Sequence, residues 1–229
     1  MKKKILVVAA HPDDDILGCG GTISKLKKTH LINVLFLAEG TSCRFEDLKL
    51  KKNQIKKEIN IREKQAKKAL RSLGVNLHKF INLPCGRLDT IPIIDINKKI
   101  ENEIESFKPN IIFTHSENDC NNDHRIVFKS VMMASRPNSK HTVEELYSFE
   151  VLSSTEWNFL NNFNPSYFQI LNKKNIQDKW KAFKHFKSEI HKSPLPRTKL
   201  GIFNLAKVRG SQSGVEYAEA FKLIRTFKK

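Results

Sequence analysis

Acidic residues are scarce in this chain: 24 Asp and Glu stand against 41 Lys and Arg in 229 residues, a formal net charge of +17 at pH 7. Cysteine is scarcer still. Cys19, Cys43, Cys85 and Cys120 are scattered with no C-x-x-C pair, which argues against a disulfide framework or a cysteine zinc site and fits a reducing cytosol. No apolar run approaches the roughly 18 residues needed to span a bilayer. The basic start Lys2-Lys3-Lys4 followed by Ile5 to Ala10 is about one turn too short for a signal-peptide core, and acids follow at once. It reads as a first strand, and the expected compartment is the cytoplasm. Internal repeats and a convincing linker are also missing, so residues 1–229 are expected to form a single domain.

The shortage of acids allows three classes of partner: nucleic acid, an anionic surface or an anionic small substrate. The lysines are spread along nearly every helical stretch, in a chain rich in Lys, Asn and Ile together. That dispersion favours a solvated surface over a nucleic-acid interface. Hydrophobic residues make up 39% of the chain and include 15 Phe, enough for one substantial core.

Short apolar runs alternate with amphipathic stretches in the first half, the pattern of a parallel α/β sheet flanked by helices. Strands are expected at 5–10, 32–38, 78–82 and 110–114, and helices at 16–28, 54–73 and 93–107. Gly74 and Pro109 supply stop signals. Right-handed crossovers would carry all these strand ends to one edge, placing His11, Glu39 and His115 on one face of the molecule. The second half is less regular. A helix is expected at 123–134, a strand at 146–152, a long basic helix at 173–191, a proline loop at 193–197 and a last helix at 213–226.

The chemistry concentrates at His11-Pro12-Asp13-Asp14-Asp15, where the first strand should end. Functional groups of α/β sheets collect at the carboxyl ends of strands, and adjacent carboxylates repel unless a cation or proton holds them. His11 and Asp14 can converge on one ion while Asp13 points to a water. Imidazole and carboxylate without thiolate suit Zn²⁺ or another divalent ion of similar softness. A helix N-terminus favours acids too, by about 0.3–1 kcal/mol each, which accounts for one aspartate but not three beside a histidine. The second cluster runs from Thr114 to Arg125. There His124 is a candidate third ligand, with Asp119 or Asp123 fixing one of its ring nitrogens. The plain alternative is a polar loop with a helix cap at Asn121 or Asn122.

As a pair, His11-Pro12-Asp13-Asp14 and Asp123-His124-Arg125 resemble the motifs of the PIG-L/LmbE-like zinc-dependent N-deacetylase family. Gly18-Cys19-Gly20-Gly21-Thr22-Ile23, Ala38-Glu39-Gly40-Thr41 and Arg62-Glu63-Lys64-Gln65-Ala66 look like further segments of it. Arg209-Gly210-Ser211-Gln212 and Glu216-Tyr217-Ala218-Glu219-Ala220-Phe221 resemble the tail of its bacterial amino-sugar branch. The resemblance implies a Rossmann-like fold and hydrolysis of an N-acetyl group from an amino sugar or its conjugate. It implies one Zn²⁺ per chain, or another divalent ion, on His11, Asp14 and His124. Asp13 would be the general base toward the attacking water and Arg62 a substrate contact. The net charge tilts the substrate toward one bearing phosphate; a homo-oligomer is compatible with the sequence.

One departure stands out. Many members of the family carry a histidine three residues before the last ligand, and here that residue is Asn121. An asparagine amide can donate to an oxyanion but cannot shuttle protons. The favoured reading keeps Asp13 as the sole proton carrier with Asn121 as an electrostatic donor; the others have His115 take the missing role, or activity changed or lost. Asp15, where the family most often has glutamate, is expected to play a supporting part. The rivals are a non-catalytic protein of the same fold holding an anionic partner, and a metal-dependent hydrolase of a different amide.

Overall fold

A computed structural model describes residues 2–137 and 140–227. Among the described residues, seven strands form one sheet: β1 (Lys4–Ala9), β2 (Leu31–Ala38), β3 (Leu77–Leu83), β4 (Ile111–His115), β5 (Glu145–Phe149), β6 (Tyr167–Leu171) and β7 (Tyr217–Thr226). Their order is β3-β2-β1-β4-β5-β7-β6. The first five are parallel, and β7 runs antiparallel between β5 and β6. The α-helices among the described residues are α1 (Asp14–Leu26), α2 (Lys52–Ser72), α3 (Ile93–Phe107), α4 (Asn122–Ala134), α5 (Lys173–Phe183) and α6 (Lys199–Gln212).

The continuous apolar run of β1 follows from its central position, since a parallel strand covered on both faces needs apolar side chains on both. Ile5, Val7 and Ala9 enter one core cluster with side chains of α1, α2, α5 and α6. Leu6, Val8 and Ala10 enter the other, against α3 and α4. Connections from β1 lead to β2 on one side, while β4 lies on its other side. The order therefore switches between β1 and β4, the place where open α/β sheets form a crevice at their carboxyl edge. His11, Glu39 and His115 all sit at that edge.

The first-half elements lie where the sequence places them, to within a few residues at the ends, and Gly74 ends α2 with φ +77. The second half brings corrections. The stretch 213–226, expected as a helix, holds the strand β7, Tyr217–Thr226. Ala and Glu favour helix locally, but residues 217–221 are all buried and pair with β5 and β6, so tertiary pairing overrides propensity. The expected helix 173–191 stops at Phe183. Phe183 and Phe186 are both fully buried, and a chain that inserts both turns into a short 3₁₀ segment, Lys187–Glu189. Strand β6 and helix α6 were not anticipated.

β7 also anchors α1. The Glu219 carboxylate accepts from the Gly21 and Thr22 amides at 2.9 and 2.7 Å and from the Thr22 hydroxyl at 2.7 Å. It also accepts from Lys179 Nζ at 2.7 Å. A Cβ on Gly21 would stand 3.0 Å from that carboxylate and 2.6 Å from Leu171, so only glycine permits the approach. Removing one partner of a buried ion pair leaves an uncompensated charge. Glu219→Ala should lower stability by about 3–5 kcal/mol, read as a reduced midpoint in urea unfolding.

Candidate metal centre

Asp13 closes the strand-to-helix turn after β1. Its backbone carbonyl accepts from Ile16 and Leu17 at 3.0 and 2.9 Å, and its φ is +128, a conformation costing a non-glycine residue on the order of 1–3 kcal/mol. The turn brings His11 and Asp14 back toward each other. Across the switch point, β4 ends at His115 and its loop delivers Asp119 and His124. The cross-link is direct: the Ala10 amide donates to His115 Nε2 at 2.8 Å.

His11, Asp14 and His124 are brought together with donor atoms all within 4.8 Å of one another. Asp14 Oδ2 lies 3.3 Å from His11 Nδ1 and 3.3 Å from His124 Nε2. Each imidazole is backed on its far nitrogen by a carboxylate. His11 Nε2 pairs with Asp123 Oδ2 at 2.9 Å, and His124 Nδ1 faces Asp119 Oδ2 at 3.1 Å. Such partners fix the orientation and raise the basicity of a ligand imidazole. The backing carboxylates are themselves tied down. Asp123 accepts from the Gly86 and Leu88 amides at 2.6 and 3.2 Å. Asp119 accepts from Thr155 Oγ1 at 2.6 Å, from the Asn121 amide at 2.8 Å and from Ser154 Oγ.

The donor set fits a divalent cation. His124 Nε2 is buried and makes no hydrogen bond, although it faces the other two donors. Two neighbouring groups of similar composition fit less well. In His115/Asp119/His124, His115 keeps only Nδ1 unbonded, its Nε2 accepting from Ala10, and Asp119 is spent on Ser154, Thr155 and Asn121. In His11/Cys85/Asp123, both Asp123 oxygens are engaged by backbone amides.

The charges follow from this packing. Burial works against a protonated His11, but Asp123 and Asp14 override it and raise the group to about 10. Burial likewise opposes protonated His124, and Asp14 and Asp119 raise it to about 9. Asp14 falls well below the usual carboxylate range because His124 and His11 outweigh its burial. Asp119 falls to about 2 against its burial, through His124 and the two hydroxyls. His115 moves the other way: burial, then the neighbouring His124 charge, push it down to about 3. His115 is therefore a neutral acceptor at physiological pH and is unsuited to the proton role considered for it. Asp15 is buried, with neither oxygen hydrogen-bonded; burial and the charge of Asp13 raise it to about 8.

Asp13 stands beside this centre, 2% exposed. Its Oδ2 accepts from Arg62 at 3.2 Å and from Arg197 at 3.1 Å. Burial raises its pKa above the usual carboxylate value, and the two guanidinium groups limit the rise. Arg62 is spent on this task, lying also 2.7 Å from Glu189 Oε1 and over the Phe186 ring. Glu189 joins Arg197 and Arg44 as well. Arg197 and Glu189 escaped the sequence reading: both lie in the irregular C-terminal stretch, far from either motif, and only the turn after α5 brings them in. Asn121 is the cap of α4. Its Oδ1 accepts from the Asp123 amide at 2.9 Å, which leaves its NH₂ group to donate.

Comparison with known proteins bears on the family and the fold. The family model described as PIG-L, GlcNAc-PI de-N-acetylase, matches residues 6–135, a span that includes both motifs. The chain is 26% identical over 195 residues to the uncharacterized deacetylase YaiS of Escherichia coli K12, covering 82% of this chain and 92% of that protein. In structure it is similar to the N,N'-diacetylchitobiose deacetylase of Pyrococcus horikoshii bound to its inhibitor MPG. The TM-score is 0.78 at 20% identity, over 97% of this chain and 84% of that one. It is also similar to GalB, the 4-carboxy-2-hydroxymuconate hydratase of Pseudomonas putida KT2440, with a TM-score of 0.75 at 19% identity over 99% and 98% of the two chains. At these identities the structural likenesses establish the Rossmann-like α/β fold; a deacetylase and a hydratase share it, so the reaction has to be argued from the site.

Two consequences are measurable. Metal ligation requires neutral imidazoles, and both His11 and His124 titrate above neutrality. Zinc binding at pH 7.5 should therefore release about two protons per chain, and the affinity should rise with pH, as read by calorimetry in buffers of different ionisation heat. Asp123→Asn, which weakens the hold on His11, should reduce zinc affinity roughly 10–100-fold in a chelator competition.

Proposed function

We propose that this chain, which belongs to the PIG-L (GlcNAc-PI de-N-acetylase) family, is a zinc-dependent hydrolase removing the acetyl group from an N-acetylated amino sugar or its conjugate. The observation that carries the reading is the convergence of His11, Asp14 and His124 at 4.8 Å or less, with the Asp13 carboxylate, held by arginines rather than histidines, beside them. A divalent ion held by those three residues would supply Lewis acidity toward the amide carbonyl and lower the pKa of water.

The remaining chemistry belongs to the protein. Asp13, raised by burial, suits a base that takes a proton from the attacking water. The same carboxyl can then return that proton to the departing amine nitrogen. Arg62 and Arg197 fix the Asp13 oxygen between them and serve as positioning residues; for Arg62 this replaces the direct substrate contact expected from the sequence. Asn121 caps α4 through its Oδ1, and its NH₂ group would donate to the oxygen on which charge develops. Water adds to the carbonyl carbon, the C–N bond breaks, and acetate and a free amine leave. The excess of positive charge supports a substrate bearing phosphate, in keeping with electrostatic attraction of anions.

The test is acetate release from a panel of N-acetylated sugars and sugar nucleotides by zinc-reconstituted protein. Chelation should abolish turnover and zinc restore it; full activity in a rigorously metal-free sample sinks the mechanism. Asp13→Asn should lower kcat by roughly 10²–10⁴ while zinc content is retained. Asn121→Ala should lower kcat by roughly 10²–10³ with little change in KM. Binding of the panel without acetate release would favour a non-catalytic carrier of the same fold.

A further inference from the structure

Cys43 and Cys85 are 42 positions apart and lie in different loops, yet their sulfur atoms are 3.0 Å apart, with the Cys85 thiol donating to Cys43 Sγ. Both are free thiols, Cys43 exposed and Cys85 buried. Their meeting is imposed by a third residue. Glu39, just after β2, accepts from the Thr41 and Ser42 amides at 2.6 and 3.0 Å and from the Cys85 amide at 2.9 Å. One buried carboxylate thus ties the 3₁₀ turn carrying Cys43 to the turn after β3 that carries Cys85. Packing there is tight: a Cβ on Gly86 would stand 3.0 Å from Cys43 Cβ.

From this geometry we propose that Cys43 and Cys85 form a modification site, a dithiol that peroxide converts reversibly to an intramolecular disulfide. Cys43 is the attacking group because solvent reaches it. The hydrogen bond from Cys85 lowers its thiol to about 6 with burial opposing, which favours the reactive thiolate. Cys43 sulfur attacks one peroxide oxygen, the O–O bond breaks and a sulfenic acid forms as the first water departs. Cys85 sulfur then attacks Cys43 sulfur, the S–S bond forms, and the hydroxyl leaves with the Cys85 proton as a second water. Two thiols are oxidised by two electrons and one peroxide is reduced to two waters. A low-molecular-weight dithiol reverses the step by exchange.

The pair borders the candidate metal centre without belonging to the ligand set proposed for it. Gly86, next to Cys85, donates to Asp123 Oδ2 at 2.6 Å, and that oxygen holds His11. The two remaining cysteines supply internal controls: Cys19 is buried in α1 and Cys120 is exposed elsewhere.

The experiment treats the full chain with stoichiometric hydrogen peroxide, alkylates the remaining thiols and maps peptides by mass spectrometry. The expected result is a mass loss of about 2 Da for the two hydrogens removed and a single cross-linked peptide pair joining Cys43 to Cys85. Cys19 and Cys120 should remain alkylated, and dithiothreitol should reverse the change. Cys43→Ser, at an exposed position, should abolish the cross-link and leave Cys85 reduced. Oxidation of Cys120 with Cys43 and Cys85 both still alkylatable would overturn the proposal, as would a cross-link found only between two chains.

Discussion

Crowding of carboxylates around two imidazoles at the switch between β1 and β4 is the constraint on which the rest of this structure depends. Asp14, Asp119 and Asp123 surround His11 and His124, all five buried. Buried charges are tolerated only when paired and hydrogen-bonded, and the surrounding loops are arranged to supply those pairs. The turn after β3 gives amides to Asp123, and the segment after β5 gives hydroxyls to Asp119. The same charge pattern would suit the divalent cation we propose, because two imidazole protons and a metal ion would compensate the same carboxylates. Folding and ligand chemistry are therefore one electrostatic problem at this edge of the sheet.

Asp13 is exempt from that problem. It is the one carboxylate of the cluster paired with arginines rather than histidines, and the pairing engages the C-terminal part of the chain. Arg62 from α2 and Arg197 from the proline loop meet on its Oδ2, and Glu189 joins the two guanidinium groups behind it. The irregular path from α5 to α6 thus has a local purpose: it carries Glu189 and Arg197 to the site. The division of labour we propose between ligand and base rests on this difference in partners, not on sequence position, since Asp13 and Asp14 are neighbours.

The first half of the fold was legible because its signals are local. Each central parallel strand needs an apolar run, and each helix between them carries its own stripe and stop. His11, Asp13 and Asp14 were legible for a related reason: three adjacent acids beside a histidine have few structural explanations. The C-terminal half carried no such signal. The stretch that becomes β7 is rich in Ala and Glu and looks helical by itself, and its strand state exists only because β5 and β6 supply hydrogen bonds on both sides.

What the sequence alone determined is the order of the parallel strands' elements, the edge at which the functional groups gather and the identity of the cluster at His11 to Asp15. What tertiary structure decided is which partner each group receives. It gave Asp123 to His11 and Asp119 to His124, reduced His115 to a neutral acceptor for the Ala10 amide, turned Arg62 toward Asp13 and brought Cys43 against Cys85. The physical reason is range. Backbone preferences and charge repulsion act between neighbours along the chain and can be read from it. The pairings of Arg62 with Asp13, Ala10 with His115, His11 with Asp123 and Arg197 with Asp13 join residues 49 to 184 positions apart, and these exist only once the sheet has assembled.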